Sequence, residues 1–273
     1  MYSMMKQIGP IIIDREPKFA APTSQLVSAS QFYEPEFIET ARRLSFAPNL
    51  DRKVWEYSFI VNAIERYAKT GEGTRGLAFG CGKEVTTSVI AASGSEILAT
   101  DYVTQEKDWQ AKGLEDCYSS DHIDRASFDA RVKFRHLDMN NIDPDLVDFD
   151  FLWSTGSLEH IGGYDRGLKF VENAMRCLKP GGIAVHTTEF TLTSETVGFD
   201  MPELSFYCRK DIETLAKRLL EAGHLIVLNF RRGNTVADNH VDTPPFNPGR
   251  TLCAHFSNHV ITSIGLIIQK GGS

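Results

Sequence analysis

The sequence predicts an α/β fold in which a mostly parallel sheet is covered by helices on both faces. Short apolar runs typical of buried strands alternate along the chain with segments of helical periodicity. The clearest unit is the apolar run 77–79, which is followed by two glycines and a helix predicted over 85–92. The chain has 273 residues, 42% hydrophobic and 24% charged, which suffices for one large domain or two small ones.

The other elements follow in chain order. Residues 1–30 lack sustained periodicity and predict an extended arm, which a short helix over 35–44 follows. Asp51 is a candidate N-cap for a longer helix, which Gly71 and Gly73 would end. Further helices are predicted over 166–178 and 211–222, and further strands over 97–101, 132–138, 149–154, 183–188, 225–230 and 260–269. We therefore divide the chain into an N-terminal arm with a short helix (1–50) and a main domain (51–273).

The turn after the first strand is the first candidate site. Gly80 and Gly82 would let a ligand approach the backbone, and the following helix N-terminus would offer it free N–H groups. Asp101 ends the next strand about 20 residues later, where a carboxylate can accept hydrogen bonds from ribose hydroxyls. Val85 stands where the dinucleotide pattern requires a third glycine, which disfavours NAD. The sequence thus predicts a nucleotide-like ligand.

Composition excludes several classes of function. The net charge of −7, without a cluster of Lys and Arg, argues against nucleic-acid binding. Five cysteines, widely spaced and without a C-x-x-C pair, favour reduced thiols over disulfides or a zinc site. No apolar stretch approaches the roughly 20 residues that a membrane span requires, and no signal-peptide pattern is present. We therefore expect a cytoplasmic protein with no membrane span.

Four segments in order resemble the class I S-adenosylmethionine-dependent methyltransferases. They are 77–82 (LAFGCG), 99–101 (ATD), 136–139 (HLDM), and 149–161 (FDFLWSTGSLEHI) followed by 177–182 (CLKPGG). The resemblance runs from about residue 55 to the C-terminus. It implies a Rossmann-like, seven-stranded, mostly parallel sheet whose last strand, 260–269, is antiparallel. It also implies S-adenosyl-L-methionine as the cofactor.

The resemblance also implies which residues bind the cofactor. The implied set is Gly80, Cys81, Gly82, Glu84, Asp101, Tyr102, Asp138, Met139 and Ser154. Two positions depart from the family pattern: Ala78 stands where an acidic residue is usual, and Glu84 stands where a third glycine is usual. We therefore expect the methionine end of the cofactor to be held differently, with Glu84 near the turn.

A hydroxyl acceptor would require a base, because its proton must leave during methyl transfer. Glu189, His186 and His160 follow or end predicted strands and are the candidate catalytic residues, with Glu189 preferred. His186 can instead be a hydrogen-bonded core histidine, and His160 can belong to a structural loop. No ligand spacing supports a metal site, so none is predicted.

Two long connections, 191–207 and 231–257, are predicted lid or substrate loops. Their polar residues suit an acceptor with many hydroxyls, so we expect O-methylation of a small polar molecule such as a sugar or glycan precursor. One alternative is a natural product or a lipid-linked acceptor. Another is a non-catalytic nucleotide-binding module, in which the altered glycine turn marks a degenerate site.

Overall fold

The computed structural model of the chain describes residues 10–103, 108–247 and 251–272. The helices in these ranges are α1 (Pro35–Arg43), α2 (Arg52–Tyr67), α3 (Thr86–Ala92), α4 (Arg125–Arg131), α5 (Tyr164–Ala174), α6 (Arg209–Glu221) and α7 (Val236–Asn239). The strands are β1 (Ile11–Ile13), β2 (Ser24–Leu26), β3 (Arg75–Phe79), β4 (Glu96–Asp101), β5 (Val132–His136), β6 (Phe149–Thr155), β7 (Leu178–Thr191), β8 (Phe199–Met201), β9 (Leu204–Phe206), β10 (Leu225–Asn229), β11 (Val241–Asp242), β12 (Cys253–Phe256) and β13 (His259–Gln269).

All seven predicted strands belong to an 11-stranded sheet. Strands β5, β4, β3, β6 and β7 lie side by side in that order and are all parallel. The long strand β13 pairs antiparallel with β7 and, at its end, with β10. The structure therefore confirms the predicted Rossmann-like, mostly parallel sheet and its antiparallel last strand.

The N-terminal arm widens this sheet. Strand β2 lies between β10 and β13, parallel to the former and antiparallel to the latter, and β1 pairs with the other edge of β10. Each of these strands has three residues, which is too short for a period-2 pattern to be recognised in the sequence. Residues 10–30, predicted only as an extended arm, thus contribute to the sheet.

Helix α2 joins the arm to the sheet. Asp51 accepts a hydrogen bond from the backbone N–H of Lys53 at 2.8 Å, so the predicted N-cap is formed. Trp55 and Phe59 are fully buried against the sheet, and Trp55 Nε1 donates to Gln31 Oε1 of the arm at 2.7 Å. Helices α5 and α6 pack on the opposite face, where Phe170 is buried. Both faces are therefore covered.

The two long connections are partly regular structure. The first holds the hairpin β8–β9, and the second holds α7, β11 and β12. Loops and turns at the carboxyl ends of β3, β4, β5 and β6 meet at one edge of the sheet, where open α/β sheets bind ligands. Within the described ranges, no helix is long and apolar enough to cross a bilayer.

Candidate active site

A cavity of about 750 Å³ opens at this edge of the sheet. The turns that follow β3, β4, β5 and β6 form its floor, and the first turns of α2 form one wall. Eight of the predicted site residues line it: Gly80, Gly82, Glu84, Asp101, Tyr102, Asp138, Met139 and His160. The four-strand architecture thus gathers segments that lie 80 residues apart in sequence, from Gly80 to His160.

The glycine turn after β3 depends on its lack of side chains. Gly80 and Gly82 have φ angles of +56° and +54°, in the left-handed region that favours glycine. A Cβ atom at position 80 would lie 2.7 Å from Ser157 Oγ, and one at position 82 would lie 3.0 Å from the carbonyl oxygen of Trp109. The turn is therefore a cradle in which a ligand can reach the backbone.

Asp101 holds this cradle in place. Its Oδ2 atom accepts hydrogen bonds from the backbone N–H groups of Gly82 at 3.0 Å and Ala111 at 2.8 Å. Its Oδ1 atom accepts the N–H of Tyr102 at 2.8 Å. Each carboxylate oxygen can accept about two hydrogen bonds, so Oδ1 keeps capacity for a hydroxyl of a ligand.

The turn after β5 supplies the next part of the floor. Asp138 accepts hydrogen bonds from the backbone N–H of Asn140 at 2.8 Å and from the side-chain amide of Asn141 at 2.9 Å. The Met139 side chain is 6% exposed and lies near Gly80. The floor beside Asp101 therefore has one polar residue, Asp138, and one apolar residue, Met139.

Three of the residues predicted to contact the cofactor or the acceptor lie beneath the surface of the cavity. His186 is fully buried in β7, where its Nδ1 lies 2.8 Å from Ser154 Oγ and its ring packs edge-on against Phe170. Burial lowers the pKa of His186 to about 3, which keeps the ring neutral. Cys81 is also buried, with Sγ 3.6 Å from that of Cys117. Direct contact of Cys81, Ser154 or His186 side chains with a ligand is therefore not supported by this geometry.

Glu189, the preferred catalytic candidate, also lies outside the cavity lining. Its Oε1 atom accepts a hydrogen bond from Arg52 at 2.6 Å, and both side chains are nearly buried, at 10% and 12% exposure. Its Oε2 atom has no hydrogen-bond partner among the residues that the structure describes. This is the geometry of a buried ion pair between β7 and α2.

His160 is the candidate base that does line the cavity. It is exposed at the end of a short 3₁₀ helix (Leu158–His160), and its Nδ1 lies 2.8 Å from the carbonyl oxygen of Glu203. Glu203 follows the Pro202 turn of the β8–β9 hairpin, so this part of the predicted loop 191–207 reaches the cavity. Residues 231–247 and 251–257 contribute nothing to its lining.

Sequence reasoning missed a group of charged residues on α2. Lys53 and Tyr57 line the cavity, and Lys53 Nζ lies 2.7 Å from Glu56 Oε2. Burial opposes the charge on Lys53, but Glu56, Glu189 and Glu159 outweigh it and raise the Lys53 pKa. The sequence carries no signal for them, because charged residues next to an apolar stripe are equally typical of a solvated helix face.

No group of three or more His, Cys, Asp or Glu side chains suited to a metal ion occurs in the parts of the chain that the structure describes. The site is built instead from a glycine cradle, carboxylates and two lysines, Lys53 and Lys83. An adenosine with a charged substituent fits such a set, because the cradle admits close backbone contact and the carboxylates accept hydrogen bonds from hydroxyl groups.

Comparison with known proteins supports the family resemblance. Residues 77–186 match the model of a family described as a methyltransferase domain. S-adenosylmethionine is the cofactor that this resemblance implies. The match spans the glycine turn, Asp101, the turn of Asp138 and the strand end at Ser154, so it covers the whole floor of the cavity.

Several solved structures are similar to the chain at low sequence identity. One from Galdieria sulphuraria, described as a sarcosine dimethylglycine methyltransferase, is 12% identical, covers 80% of this chain and 85% of its own, and has a TM-score of 0.50. An S-adenosylmethionine-dependent methyltransferase from Clostridium acetobutylicum is 14% identical, with coverages of 82% and 94% and a TM-score of 0.47. The DhpI–SAH complex is 17% identical, with coverages of 87% and 96% and a TM-score of 0.42. No curated protein sequence matches the chain significantly.

Proposed function

We propose that the methyltransferase methylates an oxygen atom of a small polar acceptor, such as a sugar or a glycan precursor. The bound cofactor supplies a methyl group already activated by its sulfonium, so the chief task of the protein is alignment. Gly80, Gly82 and Asp101 would hold the nucleoside, with Tyr102, Asp138 and Met139 around it. This leaves the rim of the cavity near His160 for the acceptor.

The contact between His160 Nδ1 and the carbonyl oxygen of Glu203 is the observation that carries the proposal. A carbonyl oxygen can only accept a hydrogen bond, so the contact with Glu203 requires the proton of a neutral His160 to be on Nδ1. Nε2 then carries the lone pair of a base. Because His160 lines the cavity, Nε2 can take the proton of an acceptor hydroxyl.

The remaining rim residues support a polar acceptor. Arg166 and Lys83 are exposed, line the cavity and form no ion pair with any other residue that the structure describes. Their charges suit an anionic group on the acceptor, such as the phosphate of a glycan precursor. Asn140 is held nearby, because its Nδ2 donates to the carbonyl oxygen of Ile161 at 3.0 Å.

The experiment is a measurement of S-adenosylhomocysteine release with sugars, sugar nucleotides, phenols and amines as acceptors. We expect turnover with a hydroxyl compound, and a rate roughly 100-fold or more lower in His160→Gln, the usual scale for losing a general base. Cofactor affinity should be unchanged in that variant. His122→Gln, which alters a histidine bonded to Ser119 outside the cavity, is the matched control.

Three outcomes would count against the proposal. Turnover only with amines would assign a nitrogen acceptor. A normal rate in His160→Gln would remove this base from the mechanism. Cofactor binding without turnover of any acceptor would favour the alternative of a non-catalytic nucleotide-binding module.

A further inference from the structure

We propose that Lys53 and Glu84 bind the amino-acid end of the cofactor, Lys53 its α-carboxylate and Glu84 its α-ammonium. This assignment deepens the proposed function and rests on its cofactor site, but it is independent of the acceptor. It gives the two residues, one on α2 and one at the end of the glycine turn, a joint role in recognising a zwitterion.

The order of the strands gives the cavity two ends. Asp101, Asp138 and Met139 lie at the ends of β4 and β5, on one side of the glycine turn. Lys53 and Glu84 lie on the other side, together with Gly156 beyond the end of β6. A ligand whose ribose is at Asp101 and which crosses the turn of β3 would therefore bring its far end to Lys53 and Glu84.

The charges at this second end match those of an α-amino acid. An α-carboxylate needs a cationic donor and an α-ammonium needs an anionic acceptor. Ala78, which is fully buried in β3, provides neither. Lys53 donates to Glu56 at 2.7 Å and keeps two further N–H donors, whereas Arg52 is already held by Glu189 at 2.6 Å. Lys53 and Glu84 are thus the complementary pair available on the wall.

Close approach to Lys53 is built into the backbone. A Cβ atom at Gly156, whose φ is +54°, would lie 2.5 Å from Lys53 Nζ. Glycine at this position therefore keeps open the space in front of the ammonium group.

The ionisation of Glu84 should make cofactor binding depend on pH. Burial raises the pKa of Glu84 well above its ordinary value, and Glu56 raises it further, while Lys53 and the hydroxyls of Tyr57 and Thr155 lower it. An ammonium group brought to Glu84 would favour the carboxylate, so binding would release a proton from Glu84 to the buffer. Affinity should then rise with pH up to the pKa of free Glu84.

The test compares two ligands that differ only in the amino-acid end. Calorimetry would measure S-adenosylhomocysteine and 5′-methylthioadenosine, which lacks the amino acid, against wild type, Lys53→Met, Glu84→Gln and Lys53→Arg. We expect each of the first two variants to bind S-adenosylhomocysteine roughly 10- to 100-fold more weakly, the scale of one charge-assisted hydrogen bond, and to bind methylthioadenosine normally. Lys53→Arg should retain most of the affinity, because it keeps the cation.

Lys169→Met is the control, since it removes an exposed lysine of α5 that does not line the cavity and should leave both affinities unchanged. Binding of S-adenosylhomocysteine in buffers of different ionisation enthalpy, repeated over a pH series, should show proton release in wild type below the raised pKa of Glu84 and none in Glu84→Gln. Glu84→Gln keeps Lys53 paired with Glu56, so the measurements on Glu84→Gln still test the assignment if Lys53→Met fails to fold.

Equal losses for both ligands, or no loss for either, would overturn the assignment and make Lys53 and Glu84 structural residues. These results differ from failure of the cofactor site itself, in which wild type would bind neither ligand. That outcome would overturn the proposed function together with this inference.

Discussion

The Oδ2 atom of Asp101 accepts a hydrogen bond from the backbone N–H of Gly82 at 3.0 Å. One carboxylate at the end of β4 therefore fixes the glycine turn at the end of β3 and also lines the cavity. The residue predicted to bind ribose thus also stabilises the glycine turn through a hydrogen bond. We therefore expect binding of the cofactor and the local shape of the turn to be coupled through this side chain.

Asp101→Ala should weaken cofactor binding strongly. The ribose would lose a charge-assisted acceptor worth roughly 1.5–3 kcal/mol, and the Gly82 and Ala111 N–H groups would lose their partner. Calorimetry with S-adenosylhomocysteine measures the loss. Asp150→Asn, at the far end of the sheet where Asp150 pairs with Lys179, is the control and should bind normally. Unchanged affinity in Asp101→Ala would remove this residue from the site.

Glu189→Gln should lower thermal stability and leave turnover within a few-fold of wild type. Breaking a buried ion pair costs roughly 3–5 kcal/mol, although glutamine keeps a neutral acceptor for Arg52 and lessens this. Melting temperatures of Glu189→Gln, Arg52→Gln and the double variant form a cycle that isolates the pair. A normal melting temperature with a rate at least 100-fold lower would instead restore Glu189 as the catalytic base predicted from the sequence.

His186→Gln should make stability less sensitive to acid. The pKa of His186 is lowered to about 3 by burial, so below the ordinary value of about 6.5 the unfolded chain binds a proton that the folded chain excludes. Stability from this residue is complete above about pH 6.5 and decreases as the pH falls towards 3. Urea unfolding at pH 7, 5.5 and 4 measures the slope.

The slope should flatten in His186→Gln, whose amide can still bond Ser154. His240→Gln, at an exposed position, is the comparison and should keep the wild-type slope. An equal slope in wild type and His186→Gln would show that the buried ring is not the source of acid sensitivity.

The strands and the cofactor turn were predictable because local patterns determine them. The glycines at 80 and 82 need left-handed backbone angles, and the apolar runs need burial on both faces, so both signals are short-range. The insertion of β2 was not predictable, because pairing of Leu26 with Ile264 depends on segments that are remote in the sequence.

The placement of individual side chains was predictable only in part. His186 and Glu189 both lie in the carboxyl-terminal half of β7, but strand alternation does not reveal whether a polar residue faces a cavity or a packed helix. His186 meets Phe170 and Glu189 meets Arg52. Likewise the burial of Lys53 follows from how α2 packs on the sheet, which its apolar stripe does not specify.

The central claim is that the glycine turn of β3 is the cradle of the cofactor, and Gly80→Val tests it. A side chain at position 80 would collide with Ser157 at 2.7 Å and fill the cradle. Gly73→Val is the matched control, since Gly73 also has a positive φ, +79°, but has nothing within 4 Å of an added Cβ. It reproduces the backbone strain without filling the cavity.

The decisive measurement is calorimetric titration of wild type and both folded variants with S-adenosylmethionine. We expect one site per chain in wild type, similar affinity in Gly73→Val, and no detectable binding in Gly80→Val. Wild-type affinity in Gly80→Val would contradict the account, because the cofactor would then have to bind somewhere other than this turn.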